Sequence, residues 1–218
     1  ESWMRLTRVL THEIMNSVTP ITSLSETLLS LHKNADKDIR SGLKVISSTG
    51  KGLIDFVESY RKFTHLPTPQ PSLFYAANLA ERIVHLTQSN NTQPGTRIIL
   101  SIEPLDLIIY ADEKLITQVM LNLVKNAMQS VEQASDGLIQ IKGYCNSDES
   151  VSLEIMDNGP GISPEMADHI FIPFFTTKEG GSGIGLSISR QIMRLHGGTL
   201  TLKSSPSKKE TSFILTFK

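Results

Sequence analysis

The chain has 218 residues, 39% apolar and 20% charged, which is the balance of a water-soluble globular protein with one large core or two small ones. Its 21 Lys and Arg against 22 Asp and Glu give a formal net charge of -1, leaving no basic footprint for nucleic acid. Cys145 is the single cysteine, so an internal disulfide is excluded and a reducing, cytoplasmic setting is expected; no apolar run is long enough to cross a bilayer, so no membrane contact is expected of this piece.

The sequence opens inside a helical pattern (Glu1, Ser2, Trp3), as a fragment would. Sensor or membrane segments of a longer protein are expected before it. Apolar residues recur at Leu6, Leu10, Ile14, Val18, Ile21, Leu24, Leu28 and Leu31, in steps of three and four. That narrow stripe is of the bundle or coiled-coil kind. After the polar break "HKNADKD" a second stripe runs through Ile39, Leu43, Ile46, Gly50, Leu53, Val57 and Tyr60. Two amphipathic helices with a short connection predict an αα-hairpin. One hairpin cannot cover both stripes, and pairing with a second copy as a four-helix bundle is the economical solution.

Three prolines in "LPTPQPS" (Leu66 to Ser72) end the second helix and predict a domain boundary. The expected division is a hairpin over residues 1–66, a linker over 67–72 and a second domain over 73–218. Beyond the linker the pattern turns mixed. Strands are expected at Arg97 to Pro104, Leu105 to Asp112, Gly137 to Cys145 and Val151 to Asp157, with a long helix at Glu113 to Val131. A second helix, "GLSISRQIMRLHGG", stops at its double glycine. "TLTLKSS" and "TSFILTF" close the chain as an antiparallel pair around the polar turn "PSKKE".

On the first helix His12 is rotated from Leu10 by about 200°, at roughly 100° per residue, so it points away from the apolar seam. Glu13 is its neighbour, and Asn16 lies one turn above it. A neutral imidazole is a competent nucleophile, and an adjacent carboxylate can take the ring proton during attack. Pro20 removes the helical partner of the Asn16 carbonyl, so a bend is expected there.

Four further segments suit a nucleotide. Gln118, Asn122 and Asn126 are spaced by four on one helix, and carboxamide oxygens suit Mg2+, which prefers oxygen ligands. "DNGPGI" follows a strand; Asp157 can accept a hydrogen bond from an exocyclic amine, and Gly159 and Gly161 allow close approach of backbone. "IFIPFFTTK" anchors a loop with phenylalanines and ends in Lys178, a point charge for phosphates. "GGSGIGLS" places Gly181, Gly183 and Gly185 before a helix, where backbone N–H groups can meet phosphate oxygens. It lacks the ending of a Walker loop and the spacing of a Rossmann fingerprint. His32, His65, His85, His169 and His196 form no metal-binding spacing and are read as structural, His196 as a cation suited to a helix C-terminus.

Taken in order, these segments resemble the boxes of sensor histidine kinases: "THEIMNSVTPI" the H box, "LITQVMLNLVKNAMQSV" the N box, "DNGPGI" the G1 box, "IFIPFFTTK" the F box and "GSGIGLSI" the G2 box. The resemblance covers nearly the whole chain. It implies an α+β protein: a helical hairpin forming a dimeric four-helix bundle, then an α/β sandwich ATP-binding domain of the kind shared with gyrase, Hsp90 and MutL. It implies ATP and Mg2+ as ligands, with His12 the phosphorylated nucleophile and Glu13 its acid/base partner. Asn126 would be the principal Mg2+ ligand, with Asn122 beside it near the phosphates. Asp157 would read the adenine amine in a pocket shaped by Gly159 and Gly161. Gly181, Gly183 and Gly185 would hinge a lid near Lys178. Gln118 stands where the family often has Glu; being neutral, it would orient the nucleophile or a metal-bound water. The expected partners are a second copy, through the hairpin, and the receiver domain of a response regulator. His12, Glu13 and Asn16 also resemble the motif for dephosphorylating that regulator. The competing expectations are an ATPase of the gyrase or Hsp90 type, which the hairpin argues against, and a degenerate scaffold, which the intact boxes argue against.

Overall fold

A computed structural model describes residues 2–31, 37–88, 96–178 and 181–218; the side chains of residues 2–13, 31, 38 and 62 lie outside the described ones. The chain divides into two compact units, Glu1–Leu66 and Pro67–Lys218.

The first unit is a pair of long helices, α1 (Ser2–Leu31) and α2 (Lys37–Thr64), packed along each other. The helix α1 continues through Pro20. The two run antiparallel: Thr22 lies against Gly50, where a Cβ would collide with the threonine hydroxyl, and Glu26 meets both Ser47 and Lys51. The residues covered within the hairpin are largely small and polar (Thr22, Ser25, Ser47, with Val57). Thr22 and Ser25 return their hydroxyls to the carbonyls of Val18 and Ile21, at 3.0 and 2.8 Å, and so carry no unpaired donor into that seam. Among the described residues several large apolar side chains are exposed instead: Ile21 and Leu24 on α1, and Ile39, Ile46 and Phe56 on α2. The connection at residues 32–36, with His32, lies outside the described residues.

The second unit holds a five-stranded mixed sheet in the order β2–β4–β5–β7–β6. Its strands are β2 (Arg97–Glu103), β4 (Leu138–Cys145), β5 (Val151–Asp157), β6 (Thr199–Ser205) and β7 (Glu210–Phe217). Only β2 and β4 pair in parallel, so a crossover must separate them, and it contains the helix α4 (Glu113–Ser130). In register, Ile141 faces Ile155 and Ile155 faces Phe213; Leu153 likewise meets Leu215 and Leu215 meets Leu200. This row is one buried face of the sheet. Helices α3 (Ala76–Gln88), α4 and α6 (Gly185–Leu195) cover it with Leu79, Ile83, Ile116, Val119, Leu123, Ile192 and Met193, all buried. The layered helix-on-sheet arrangement is the expected sandwich. A separate antiparallel ribbon pairs β1 (Ser72–Tyr75) with β3 (Ile108–Ala111), and a short helix α5 (Pro164–Ala167) follows the G1 segment.

Most expected strands and helices occur within one or two residues of their anticipated ends. The strand expected from Leu105 is shorter, because Leu105 to Leu107 turn back on Pro104, with Leu107 N–H donating to its carbonyl at 3.1 Å. The tip expected as a plain turn at "PSKKE" is a single 3-10 turn, Pro206–Lys208, closed by Lys209 in the left-handed region.

Candidate functional site

The site is built around α4. Its N-cap, Asp112, sits in extended backbone at the end of β3 and accepts from the N–H groups of Lys114 and Leu115, at 3.0 and 3.2 Å. The apolar residues Leu115, Ile116, Val119, Met120, Leu123, Val124 and Ala127 fix which face of α4 turns to the core. That orientation leaves a polar row at its edge, at 118, 122, 126 and 130.

The row does not act as one stack of carboxamides. Gln118 is exposed. Asn122 turns toward α6: its Nδ2 donates to Ser189 Oγ at 3.1 Å, and Ser189 Oγ donates to the Gly185 carbonyl at 2.9 Å. A Cβ on Gly185 would collide with the Asn122 amide, so this glycine admits the helix–helix contact of α4 with α6. Asn126 faces elsewhere. Its Oδ1 accepts from Lys178 Nζ at 3.3 Å, and the same ammonium donates to Gln129 Oε1 at 2.6 Å. Of the two asparagines, then, only Asn126 presents its oxygen to a cation. Asn122 fastens the helix that begins at the G2 segment.

Asp157 ends β5 with its side chain 3% exposed. Its Oδ1 accepts from Gly159 N–H at 2.9 Å. Burial raises its pKa above the ordinary carboxylate value, opposed by the Gly159 N–H, the Ser130 hydroxyl and the charge of Lys178. Ser130 is packed so close to Gly159 that any side chain there would strike it. Asn158 pins the same loop by accepting from Leu138 N–H at 2.8 Å and donating to the Asp136 carbonyl at 2.9 Å. Gly161 has φ +80°, and a Cβ there would meet the Pro206 backbone. The result is a rigid loop carrying one desolvated carboxylate. Such a group is suited to a neutral or cationic N–H donor.

Lys178 closes the other side. Its N–H donates to Thr176 Oγ1 at 3.0 Å, which holds the backbone. Its pKa is pushed down, first by partial burial of the ammonium and then by Lys125, while Asp157 opposes the shift. Phe174 N–H donates to the Gly183 carbonyl at 2.9 Å, joining the F and G2 segments at their base. Both residues have positive φ, +67° and +66°. Phe171 meets Phe213 of β7 edge-on at 6.4 Å between centroids, and the Arg190 guanidinium lies 4.8 Å over its ring. Thus Phe171 of the F segment is anchored as expected, Phe175 meets the His169 ring at 5.5 Å between centroids, and Phe174 supplies a backbone turn. Gly181 N–H donates to the Lys178 carbonyl at 3.2 Å, and residues 179–180 lie outside the described ones.

Mg2+ fits this arrangement on two counts. The donors on α4 are amide oxygens, and one of them already holds a cation, the Lys178 ammonium. No cluster of three His, Cys, Asp or Glu side chains competes among the described residues. His196 departs from expectation: its Nε2 accepts from Asp112 N–H, so it serves as a neutral ring and not as a cation for the helix end. His12 and Glu13 lie on α1, but their side chains fall outside the described ones; Asn16 is exposed.

Reading the sequence alone missed Gln129, Ser130, Asn158, Ser189 and Arg190. Ser130 was within reach, since it continues the spacing of four from Asn126. The partners that tie the others to the site, Lys178, Leu138, Asn122 and Phe171, are 19 or more residues away in the chain, and no local spacing reports them.

Comparison with known proteins agrees with this geometry. The family described as histidine kinase-, DNA gyrase B-, and HSP90-like ATPase matches residues 111–218, from the end of β3 to the C-terminus. The chain is 32% identical over 200 residues to signal transduction histidine-protein kinase AtoS of Escherichia coli (strain K12), covering 89% of this chain and 31% of AtoS. It spans about a third of the length of the curated relatives it matches. The catalytic domain of histidine kinase ThkA superposes with a TM-score of 0.61 at 30% identity, covering 68% of this chain and 95% of that domain. ThkA in complex with response regulator protein TrrA gives a TM-score of 0.66 at 25% identity, covering 98% of this chain and 60% of that one. By its ATPase domain, its paired helices and its likeness to ThkA, this chain belongs to the sensor histidine kinases.

Proposed function

We propose that the chain binds ATP with Mg2+ in the second unit and transfers the γ-phosphoryl group to His12, from which it passes to an aspartate of a response regulator. The observation that carries this reading is the convergence of a desolvated carboxylate, Asp157, and a cation-holding amide, Asn126, on Lys178. One end of that arrangement suits an aminopurine and the other suits phosphates. AtoS and the ThkA–TrrA pair support the second transfer, since the latter is a histidine kinase joined to a response regulator.

In the reaction, a lone pair of the His12 imidazole forms the P–N bond as the P–O bond to ADP breaks, and the bonding electrons leave with the ADP oxygen. Glu13 takes the displaced ring proton. Asp157 fixes the base by accepting from its amine. Gly159, Gly161, Gly183 and Gly185 keep the surrounding backbone close, and Gly181 continues the glycine run beside Lys178. Asn126 is the protein's metal ligand; a bound Mg2+ supplies charge neutralisation at the phosphate oxygens. Asn122 acts indirectly, by holding α6 and the glycines before it. Gln118 orients the nucleophile or a water.

A homodimer through the hairpin is supported by the exposed apolar residues of α1 and α2. A hairpin that encloses serines and threonines while exposing isoleucine, leucine and phenylalanine has its hydrophobic surface still to bury, and a second copy supplies the matching stripe. Dephosphorylation of the regulator through His12, Glu13 and Asn16 belongs to the same reading.

The deciding experiment incubates the protein with γ-labelled ATP and Mg2+. Label that is acid-labile, alkali-stable and absent in His12→Gln supports the kinase. Phosphate release without protein labelling assigns an ATPase instead, and nucleotide binding with neither assigns a scaffold.

A further inference from the structure

Lys178 makes two hydrogen bonds that a phosphate-binding lysine does not need. Its ammonium bridges Asn126 Oδ1 and Gln129 Oε1, two amide oxygens separated by one turn of α4. The buried Asp157 adds attraction, whereas Lys125 repels. The ammonium is therefore held in a cluster of oxygen ligands, the environment that a hard cation selects. Its backbone is fixed separately by Thr176, so the side chain can leave this cluster by rotating its own torsions without moving the loop.

We propose that Lys178 is a resident stand-in for the metal ion: its ammonium and Mg2+ are alternative cations at the Asn126 oxygen, and their exchange sets how strongly nucleotide binding depends on Mg2+. This rests on the assignment of Asn126 as the metal ligand. Mg2+ binds oxygen at about 2.1 Å, so an ion on Asn126 Oδ1 would lie within about 5.5 Å of an ammonium left in place. Like charges at that spacing, beside a partly desolvated site, repel strongly. The lysine gives up Asn126 and Gln129 when the metal arrives, and its four-carbon stem carries the charge to nearby phosphate oxygens. In the absence of metal it stays on the oxygens of α4 and offsets phosphate charge from there. A methionine at this position would preserve the stem and remove the charge that competes with Mg2+ for the Asn126 oxygen.

The inference gives a signature that a simple phosphate contact lacks. Affinity for a fluorescent ATP analogue is measured on the whole 218-residue chain, with excess chelator and with saturating MgCl2, for wild type, Lys178→Met, Gln129→Leu and Asn126→Ala. The Mg2+ effect on affinity is expected to grow about tenfold in Lys178→Met, because metal-free binding collapses while metal-supported binding falls much less. Gln129→Leu, which removes the shorter of the two bonds, shifts the ratio the same way by a smaller factor. Equal loss with and without Mg2+ in Lys178→Met, or no loss, overturns the proposal and leaves the metal assignment standing. A Mg2+ effect in Asn126→Ala as large as in wild type overturns the metal assignment itself. Lys178 and Gln129 are exposed, and unchanged thermal melts of both variants separate these readings from misfolding.

Discussion

The imidazole of His196, just past the end of α6, accepts a hydrogen bond at 3.0 Å from the backbone N–H of Asp112, the N-cap of α4. A backbone N–H can only donate, so Nε2 carries no proton and Nδ1 donates to the Ile192 carbonyl at 2.8 Å. The end of one site helix is thereby tied to the start of the other. Replacing His196 with Ala should expose the Asp112 amide. The expected cost is about 1–2 kcal/mol, read as a roughly tenfold or greater loss of hydrogen-exchange protection at Asp112, with amides in β5 unaffected. Unchanged protection at Asp112 would show that the bond does not restrain this junction.

Asp112 also gathers its surroundings through its carboxylate. Oδ2 accepts from Gln70 N–H at 2.9 Å while Oδ1 caps α4. The Gln70 N–H contributes most to holding its pKa below the usual aspartate value, followed by the Leu115 and Lys114 amides, while burial works in the opposite direction. A depressed folded-state pKa means that the ionised carboxylate stabilises the fold above the unfolded-state pKa of about 3.9, and that this stability disappears as pH falls through the folded value. Asp112→Asn keeps an N-capping side chain. The variant should lose stability at pH 7 relative to wild type and should show a shallower acid dependence of its urea midpoint below pH 4.

Asp157 should behave with the opposite sign. Its pKa is raised, chiefly by burial, so the ionised form is disfavoured in the protein without ligand. Stability attributable to this group declines as pH rises from the ordinary aspartate range through the raised value, and Asp157→Asn removes that slope. The variant is expected to unfold at higher urea than wild type at pH 7. It should also bind ATP about ten- to a hundredfold more weakly, since a hydrogen bond to a charged acceptor is worth about 1.5–3 kcal/mol. Stability and affinity moving in opposite directions would mark a group kept for binding at a cost to the fold. Parallel losses would make Asp157 a structural residue.

Much of this architecture was legible from periodicity. The helix α4 and the strands β5 and β7 begin and end within one residue of where the sequence pattern places them, because local patterns mark such elements. The ribbon of β1 and β3 was not legible as a pair. Each strand has four residues, and their register joins Ser72 to Ala111 across a distance in sequence that no local pattern encodes. The same reason explains Asn122. Its spacing from Asn126 suggested a shared ligand, but its partner Ser189 is 67 residues away and turns the amide toward α6. Sequence motifs located the boxes; the division of labour within them depended on tertiary contacts.

Two glycines with nearly the same backbone angle offer a controlled test of the joint between the F and G2 segments. Gly197, at φ +68°, follows α6 as its left-handed stop: Gly197 N–H donates to the Arg194 carbonyl and Gly198 N–H to that of Met193. A Cβ at Gly197 meets nothing within 4 Å, so Gly197→Ala should cost only the left-handed penalty of about 1–2 kcal/mol. Gly183, at φ +66°, bears the same penalty, but its Cβ would press on the Phe174 backbone, which cannot rotate aside as a side chain can. Its carbonyl also holds Phe174 N–H. Gly183→Ala should therefore cost about 3 kcal/mol or more and weaken ATP binding at least tenfold, with the hairpin's own stability unchanged. Urea titration followed by nucleotide binding on both variants checks this. If Gly183→Ala proves no worse than Gly197→Ala, the Phe174–Gly183 contact yields readily, and the position of Lys178 must be set by Thr176 alone.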